Sequence, residues 1–338
     1  MPVLEVENLK VHFSLDEGVA RAVEDVTFSV EPGKTLGIVG ESGSGKSVIG
    51  LSILRILPSP GLIVDGKIWL TMGAEGGEES VSRLDLVTLK PKGSIARSIR
   101  GKDISMIFQE PMNSFSPVHT IGSQIMEAFK IHYDVSTGEA RNRAIEMLKR
   151  VGIPQPEKRI DSYPHQLSGG MRQRSMIAMA LVCNPRVLIA DEPTTALDVT
   201  IQAQIIALLR DLQEEFGMAI LFISHNLGVI SDISDDVLVV YSGRVMEQAP
   251  VKVMFENPIH PYTKALLKSV PGIDTPVGTE LATIEGTLPD PLTHIIGCPF
   301  WGRCTECGGM KVCRDTPYEL NQVEDRHFVA CPGTCVSW

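Results

Sequence analysis

Eight residues, "GESGSGKS" (Gly40 to Ser47), constrain this chain more than any other stretch. They follow a β-branched apolar run, "TLGIV", and lead into an apolar-patterned segment, "SVIGLSILRIL", that stops at Pro58. The pattern G-x-x-x-x-G-K-[ST] between a strand and a helix is a phosphate-cradling turn. Its glycines let successive backbone N–H groups turn inward, and the helix N-terminus adds partial positive charge. Gly40, Ser42, Gly43, Ser44 and Gly45 then line an anion nest for a triphosphate. Lys46 reaches the β- and γ-phosphates, and the Ser47 hydroxyl binds Mg²⁺.

A nest of this kind needs a buried sheet behind it. Further apolar runs supply one: "VLIAD" (187–191), "AILFIS" (219–224) and "DVLVVYSG" (236–243). Continuous apolar runs of this length suit strands covered by helices on both faces, as in parallel sheets. Helical patterns alternate with them: "SGGMRQRSMIAMALVCN" stops at Pro185, and "IQAQIIALLRDLQEEFG" ends on Gly217. Strand–helix alternation predicts an α/β sheet. The first 30 residues, "LEVENLKVHF" and "AVEDVTFSV", alternate instead like antiparallel strands. Residues 72–93, rich in Gly, Glu and Lys, read as a surface insertion.

"VLIADE" puts Asp191 at the end of a buried strand, placed for the Mg²⁺ shell. Glu192 follows it, where a carboxylate can polarise the attacking water as general base. Together with the phosphate turn these residues make a P-loop nucleotide hydrolase.

The signature "LSGGMRQR" (167–174) narrows this. It resembles the signature of ATP-binding cassette (ABC) ATPases, and it lies about 20 residues before the Asp-Glu pair, as in that family. Gln109 in "MIFQEP" matches the family's Q-loop, "TALD" (Thr195 to Asp198) its D-loop, and His225 in "LFISHN" its switch histidine. Phe13 stands where the family has an aromatic under the adenine. The resemblance implies a P-loop ABC cassette: a RecA-like core, an antiparallel β subdomain and a helical subdomain at about residues 105–183. It assigns residues 1–247 to the nucleotide-binding domain and 248–338 to a small C-terminal extension, which frequent prolines from about Ala249 ("ENPIHPYT", "TLPDPLTH") mark as loop-rich. Ser168 is a good helix N-cap, and Gly169 and Gly170 permit close backbone approach, so the signature forms a second anion site. In the family it completes the ATP site of a partner subunit, so the resemblance implies a dimer sandwiching two ATPs. Met171 departs from the Gln that many members carry.

"YPHQLSGGMRQR" (163–174) and "ENPIHPYTKALLKSVP" (256–271) resemble the ATPase subunits of oligopeptide/dipeptide importers. The second stretch also reads as a Pro-bounded turn before an amphipathic helix with Tyr262, Ala265, Leu266 and Leu267 on one side. The resemblance implies a second, homologous and usually different ATPase subunit, two transmembrane permease subunits and an extracellular solute-binding protein. It implies a peripheral position at the cytoplasmic face of the inner membrane, and it makes the region between Gln109 and the signature, including "PMNSFSPVHTIG", the dock for the permease helices. Relatives carry peptides, nickel or oligosaccharides. Soluble cassette ATPases not coupled to transport are the alternative, but they carry long coiled-coil insertions or two cassettes per chain. A non-hydrolysing regulatory cassette would be expected to lose Glu192 or His225.

Composition bears on the tail. A 43% hydrophobic and 21% charged chain is ordinarily globular, and a net charge of −10 argues against nucleic acid as partner. No apolar run approaches the ~20 residues that cross a bilayer, and "MPVLEVENLK" lacks the apolar stretch of a signal peptide. The expected compartment is therefore cytosolic, where disulfides are rare. Yet six of the seven cysteines lie in the last 41 residues. Importer ATPases of the resembling kind often end in a similar pattern, here Cys298, Cys304, Cys313 and Cys331. In them the four thiolates hold a [4Fe–4S] cluster, a ligand set such a cluster needs. Cys307 and Cys335 are additional, and the spacings Cys304-x2-Cys307 and Cys331-x3-Cys335 keep a Cys₄ Zn²⁺ site open. Cys183 reads as a buried core thiol.

Overall fold

The computed structural model describes residues 1–73, 82–109, 114–195, 197–269, 283–306 and 310–331. Cys307, Cys335, residues 111–113 of the expected permease dock, Ala196 of the D-loop and most of the Gly- and Glu-rich part of 72–93 lie outside them. The chain divides into two compact units. One comprises Met1–Val3, Val30–Lys34 and Leu89–Phe222, the other Leu4–Ser29, Thr35–Thr88 and Ile223–Trp338.

In the first unit, strands Ile104–Ile107 and Val187–Asp191 pair in parallel, Ile104 opposite Val187 and Ile107 opposite Ala190. Ala219–Ser224, most of which belongs to this unit, neighbours Val187–Asp191 on its other side. All three strands are buried along their whole length. The apolar runs at 187–191 and 219–224 thus form neighbouring strands buried along their length, the first of them parallel to Ile104–Ile107, in keeping with their patterning. Helices Ile121–Lys130, Thr137–Arg150 and Gly169–Leu181 form a cluster, the middle one packing on both others. Its contact face is Ala140, Ala144, Met147 and Leu148, spaced to share one side of a helix. Ser136 and Glu139 close a reciprocal capping box that fixes where it starts. Cys183 lies in this core as expected, its Sγ 3.6 Å from the Ala128 carbonyl. Burial pushes its thiol pKa up to about 11.

The second unit holds two sheets. Gly18–Val30, Leu4–Leu15, Gly61–Met72 and Ser82–Asp85 form one, in that order. Leu4–Leu15 and Gly61–Met72 run antiparallel, and the alternate residues Leu4, Val6, Leu9 and Val11 are buried, so the alternation of the first 30 residues is that of antiparallel strands. The reading of 72–93 as surface insertion is corrected in part. Ser82–Asp85 pairs with Gly61–Met72, and Leu86 is buried just after it. The surrounding charges hide this short apolar signal. In the other sheet Thr35–Val39 and Asp236–Tyr241 are parallel, and Arg244–Pro250 returns antiparallel to Asp236–Tyr241. His327–Val329 pairs with Arg244–Pro250, and Asn321–Glu324 with His327–Val329. The tail therefore contributes strands where the sequence suggested loops, because three- and four-residue strands leave no readable periodicity.

A buried polar knot ties this extension down. Glu247, fully buried, accepts the backbone N–H groups of Ile259 and His260 at 2.8 and 2.9 Å and faces His327 Nε2 at 2.8 Å. His260 caps the helix Pro261–Lys268 by accepting the Tyr262 N–H on Nδ1, which puts its ring proton on Nε2, 3.7 Å from Cys298 Sγ. Of that helix, Tyr262 and Leu266 are buried and Ala265 and Leu267 partly so.

Candidate nucleotide site

In the second unit, the turn after Thr35–Val39 leads through Gly45 into the helix Lys46–Ile53. Gly45 sits at φ 98°, and a Cβ there would lie 2.3 Å from the Ala22 carbonyl oxygen, so only glycine fits. Lys46 Nζ donates to the carbonyls of Gly40 and Glu41 at 2.8 Å each, which aims its charge along the turn. Among the described residues the buried Ser44 hydroxyl finds no hydrogen-bond partner. A turn with left-handed glycines, a directed ammonium and a serine hydroxyl at the second helical position is the donor set a triphosphate and Mg²⁺ call for. Phe13, on Leu4–Leu15, is half-buried opposite Gly61. A Cβ at Gly61 would come within 2.6 Å of its ring. His225 is exposed, directly after Ala219–Ser224 and before Asn226, which caps the helix Leu227–Ile233.

What holds the turn from outside comes from far along the chain. Glu41, a variable position of the motif, donates its N–H to Tyr262 Oη at 3.0 Å. Its carboxylate accepts Arg303 Nη1 at 3.0 Å on both oxygens. The same nitrogen donates to Tyr241 Oη at 3.1 Å, while Arg303 Nε and Nη2 donate to the carbonyls of Glu285 and Ile284. Tyr241, Tyr262 and Phe300 pack edge-on or tilted around this cluster, with ring centroids 4.7 to 5.4 Å apart. Burial holds the Tyr262 hydroxyl well above the usual phenol range, so it stays protonated. The available signal was Arg303 in "CPFWGRC", eclipsed by the cysteines on either side.

In the first unit, Asp191 closes the buried strand Val187–Asp191, and Glu192 leaves it at φ 47°. A left-handed glutamate is strained, as residues held for chemistry often are. Gln109 Nε2 donates to Glu192 Oε2 at 3.2 Å, and Thr195 Oγ1 to the same oxygen at 2.8 Å. Gln173 Nε2, from the helix Gly169–Leu181, donates to the Pro193 carbonyl and secures the segment from the other side. Ser168 caps that helix, accepting the Met171 N–H at 3.3 Å, and Asp198 caps Val199–Phe216, accepting the Ile201 N–H at 2.9 Å. Gly169 has open space around it, whereas Gly170 lies near Ile201. The structure thus brings together Gln109 and Glu192 of the expected catalytic set, adds Thr195 from the expected D-loop, and makes helix caps of Ser168 and Asp198.

Of the tail cysteines, Cys298, Cys313 and Cys331 are buried and Cys304 partly so. The Cys298 N–H donates to the Cys313 carbonyl at 2.8 Å. Four thiols are the donor set of a cluster or a zinc site, but among the described residues no three His, Cys, Asp or Glu side chains gather to hold a metal. No described helix is long and apolar enough to cross a membrane.

Comparison with known proteins agrees with this geometry. Residues 23–195 match the family described as "ABC transporter", and residues 246–313 that described as "Oligopeptide/dipeptide transporter, C-terminal region". A protein of Sinorhizobium fredii named as a peptide ABC transporter ATP-binding protein is 48% identical over 97% of this chain and 94% of its own. One of Brucella abortus, named as a peptide import ATP-binding protein, is 45% identical over 100% of this chain and 97% of its own. Among solved structures, a dimeric ATP-binding cassette in a post-hydrolysis state with ADP and Pi superposes with a TM-score of 0.63 at 26% identity, covering 73% of this chain and 98% of that one.

Proposed function

We propose a working cycle for this chain, which belongs to the ABC transporter family and to its oligopeptide/dipeptide branch. The protein is the ATP-binding, ATP-hydrolysing subunit of a peptide importer. The observation that carries the chemistry is the carboxylate of Glu192, oriented by Gln109 and Thr195 beside the strand-ending Asp191.

In this reading the N–H groups of Gly40 to Ser47 and the Lys46 ammonium hold the triphosphate, and Phe13 stacks on the adenine. Ser47, Gln109 and Asp191 would hold the Mg²⁺. The metal, when bound, neutralises charge on the β- and γ-phosphate oxygens. Glu192 accepts the proton of the attacking water, and His225 orients the γ-phosphate end. Ser168, Gly169, Gly170 and Asp198 face the ATP of a second ATPase subunit, so two chains hydrolyse as a sandwich dimer. The capped, anion-suited start of the helix Gly169–Leu181 supports that role.

Residues 1–247 act as the cassette and 248–338 as its extension. The working partners are a second, homologous ATPase chain, two permease subunits at the cytoplasmic face of the membrane and, through them, a solute-binding protein. A groove of about 370 Å³ lined by Ser123, Met126, Glu127, Lys130, Ile131 and Thr137 supports docking of a permease helix on the helical cluster.

The cysteine tail, in this reading, holds a [4Fe–4S] cluster on Cys298, Cys304, Cys313 and Cys331, with Zn²⁺ as the alternative. Four thiols within one short extension support it. No step of hydrolysis runs through it. Iron and acid-labile sulfide assayed after anaerobic purification test the cluster, and colourless protein with stoichiometric zinc would sink it.

The central test is Mg²⁺-dependent phosphate release by the purified chain, with Lys46→Ala as control. Hydrolysis that survives Lys46→Ala, or its absence in wild type even with the permease subunits present, overturns the reading. Peptide uptake by vesicles holding the permease subunits tests the transport half.

A further inference from the structure

We propose that Arg303 is a positioning residue for the ATP site: it neutralises Glu41 beside the phosphate-binding turn and makes the C-terminal extension part of the nucleotide-binding machinery. This deepens the ATPase reading and rests on it.

Glu41 is the first variable residue of the turn, one position after Gly40 and five before Lys46. Its backbone carbonyl already accepts from Lys46 Nζ. An unpaired carboxylate at that point would stand beside the polyanionic triphosphate, and like charges at such range repel. Arg303 removes the problem. Its Nη1 bridges both carboxylate oxygens at 3.0 Å, and its own side chain is only 9% exposed. The guanidinium cannot drift, because Nε and Nη2 are committed to the Glu285 and Ile284 carbonyls. It also lies over the Tyr241 ring at 5.7 Å. Tyr262 Oη then takes the Glu41 N–H, so backbone and side chain of the same residue are both held by the segment beyond residue 247.

Further contacts run the same way. A Cβ on Gly43 would lie 3.6 Å from Leu288, and Leu292 lies as close to the corresponding point on Gly18. Arg21 N–H donates to the Pro291 carbonyl at 3.0 Å. The stretch from Ile284 to Arg303 therefore rests along the turn and along the strand pair that carries Phe13. The extension thus meets the phosphate turn at Arg303, Tyr262 and Leu288.

The test is MgATP affinity and steady-state hydrolysis of the full chain in four forms: wild type, Arg303→Gln, Glu41→Gln and the double variant. Arg303→Gln leaves Glu41 unpaired and should raise the MgATP Kd and KM about tenfold, the scale expected for losing one charge-assisted pair, with kcat changed less than about twofold. Glu41→Gln alone should bind MgATP at least as well as wild type. The double variant should recover most of the lost affinity, a rescue that a purely structural role for Arg303 does not produce. The deficit should also shrink as salt rises. Should Arg303→Gln fail to fold, Arg303→Lys keeps the charge without the fork and should show a smaller rise in KM. If wild type binds MgATP and all variants bind it equally, or the double variant is as weak as Arg303→Gln, the clamp is wrong while the ATPase reading stands. If wild type binds no MgATP, both fail.

Discussion

Gln109 and Glu192 meet side chain to side chain, the amide Nε2 donating to carboxylate Oε2 at 3.2 Å, and Thr195 Oγ1 donates to that same oxygen at 2.8 Å. Two donors on one oxygen fix the carboxylate plane, which is what a base acting on a positioned water needs. Glu192→Gln keeps the shape and loses the base. Phosphate release should fall by about 100-fold or more, the scale of general-base catalysis. MgATP binding should persist and gel filtration with MgATP should show more dimer. Undiminished turnover would remove Glu192 from its role.

Gly45→Ala tests the turn without touching a charge. The new methyl meets the Ala22 carbonyl and the residue must hold φ 98°. The variant should unfold at lower urea, by about 2 kcal/mol or more, and bind MgATP poorly. Wild-type stability and affinity would show that the turn can rearrange.

Glu247→Ala strands three groups at once: the N–H groups of Ile259 and His260, and His327. Breaking a buried charged network costs about 3–5 kcal/mol, so chemical denaturation should show a large loss. Glu247→Gln keeps an acceptor oxygen and should cost less. A loss under about 1 kcal/mol for the alanine variant would mean that the knot holds little.

Cys183 gives a pH prediction. Burial disfavours the thiolate and raises its pKa from 9.0 to about 11. Native Cys183 should resist iodoacetamide at pH 8, with labelling rising only as the pH nears 11, as peptide mass spectrometry would show. The linkage has the matching sign: between about pH 9 and 11 the folded chain keeps a proton that the unfolded chain releases, so this residue's contribution to stability declines as pH rises. Fast labelling at pH 8 under native conditions would contradict its burial.

Much of this could be read from the chain because the signals are local. The phosphate turn, the strand ending in Asp191 and the serine that starts the signature helix each depend on neighbours a few residues away. Strand ends at 187–191 and 219–224 fall where the apolar runs end. The Glu41–Arg303 pair could not be read in this way, since 262 residues separate its halves and neither residue is unusual in its own segment. Nor could the strands Asn321–Glu324 and His327–Val329, which are too short to show a period and form only because Arg244–Pro250 has hydrogen-bonding groups to offer.

That last pairing has a consequence for any shortened version of the protein. Arg244–Pro250 is mostly buried and rich in apolar residues, and it is an interior strand only because the chain returns from far downstream to lie beside it. The exposed margin of the sheet is thereby passed to Asn321–Glu324, a four-residue strand carrying Asn, Gln and Glu, the kind of short polar border that discourages pairing between molecules. Cutting the chain ahead of this hairpin would leave a sticky apolar edge open to other chains. The hairpin guards against self-association, whatever the extension's cysteines hold.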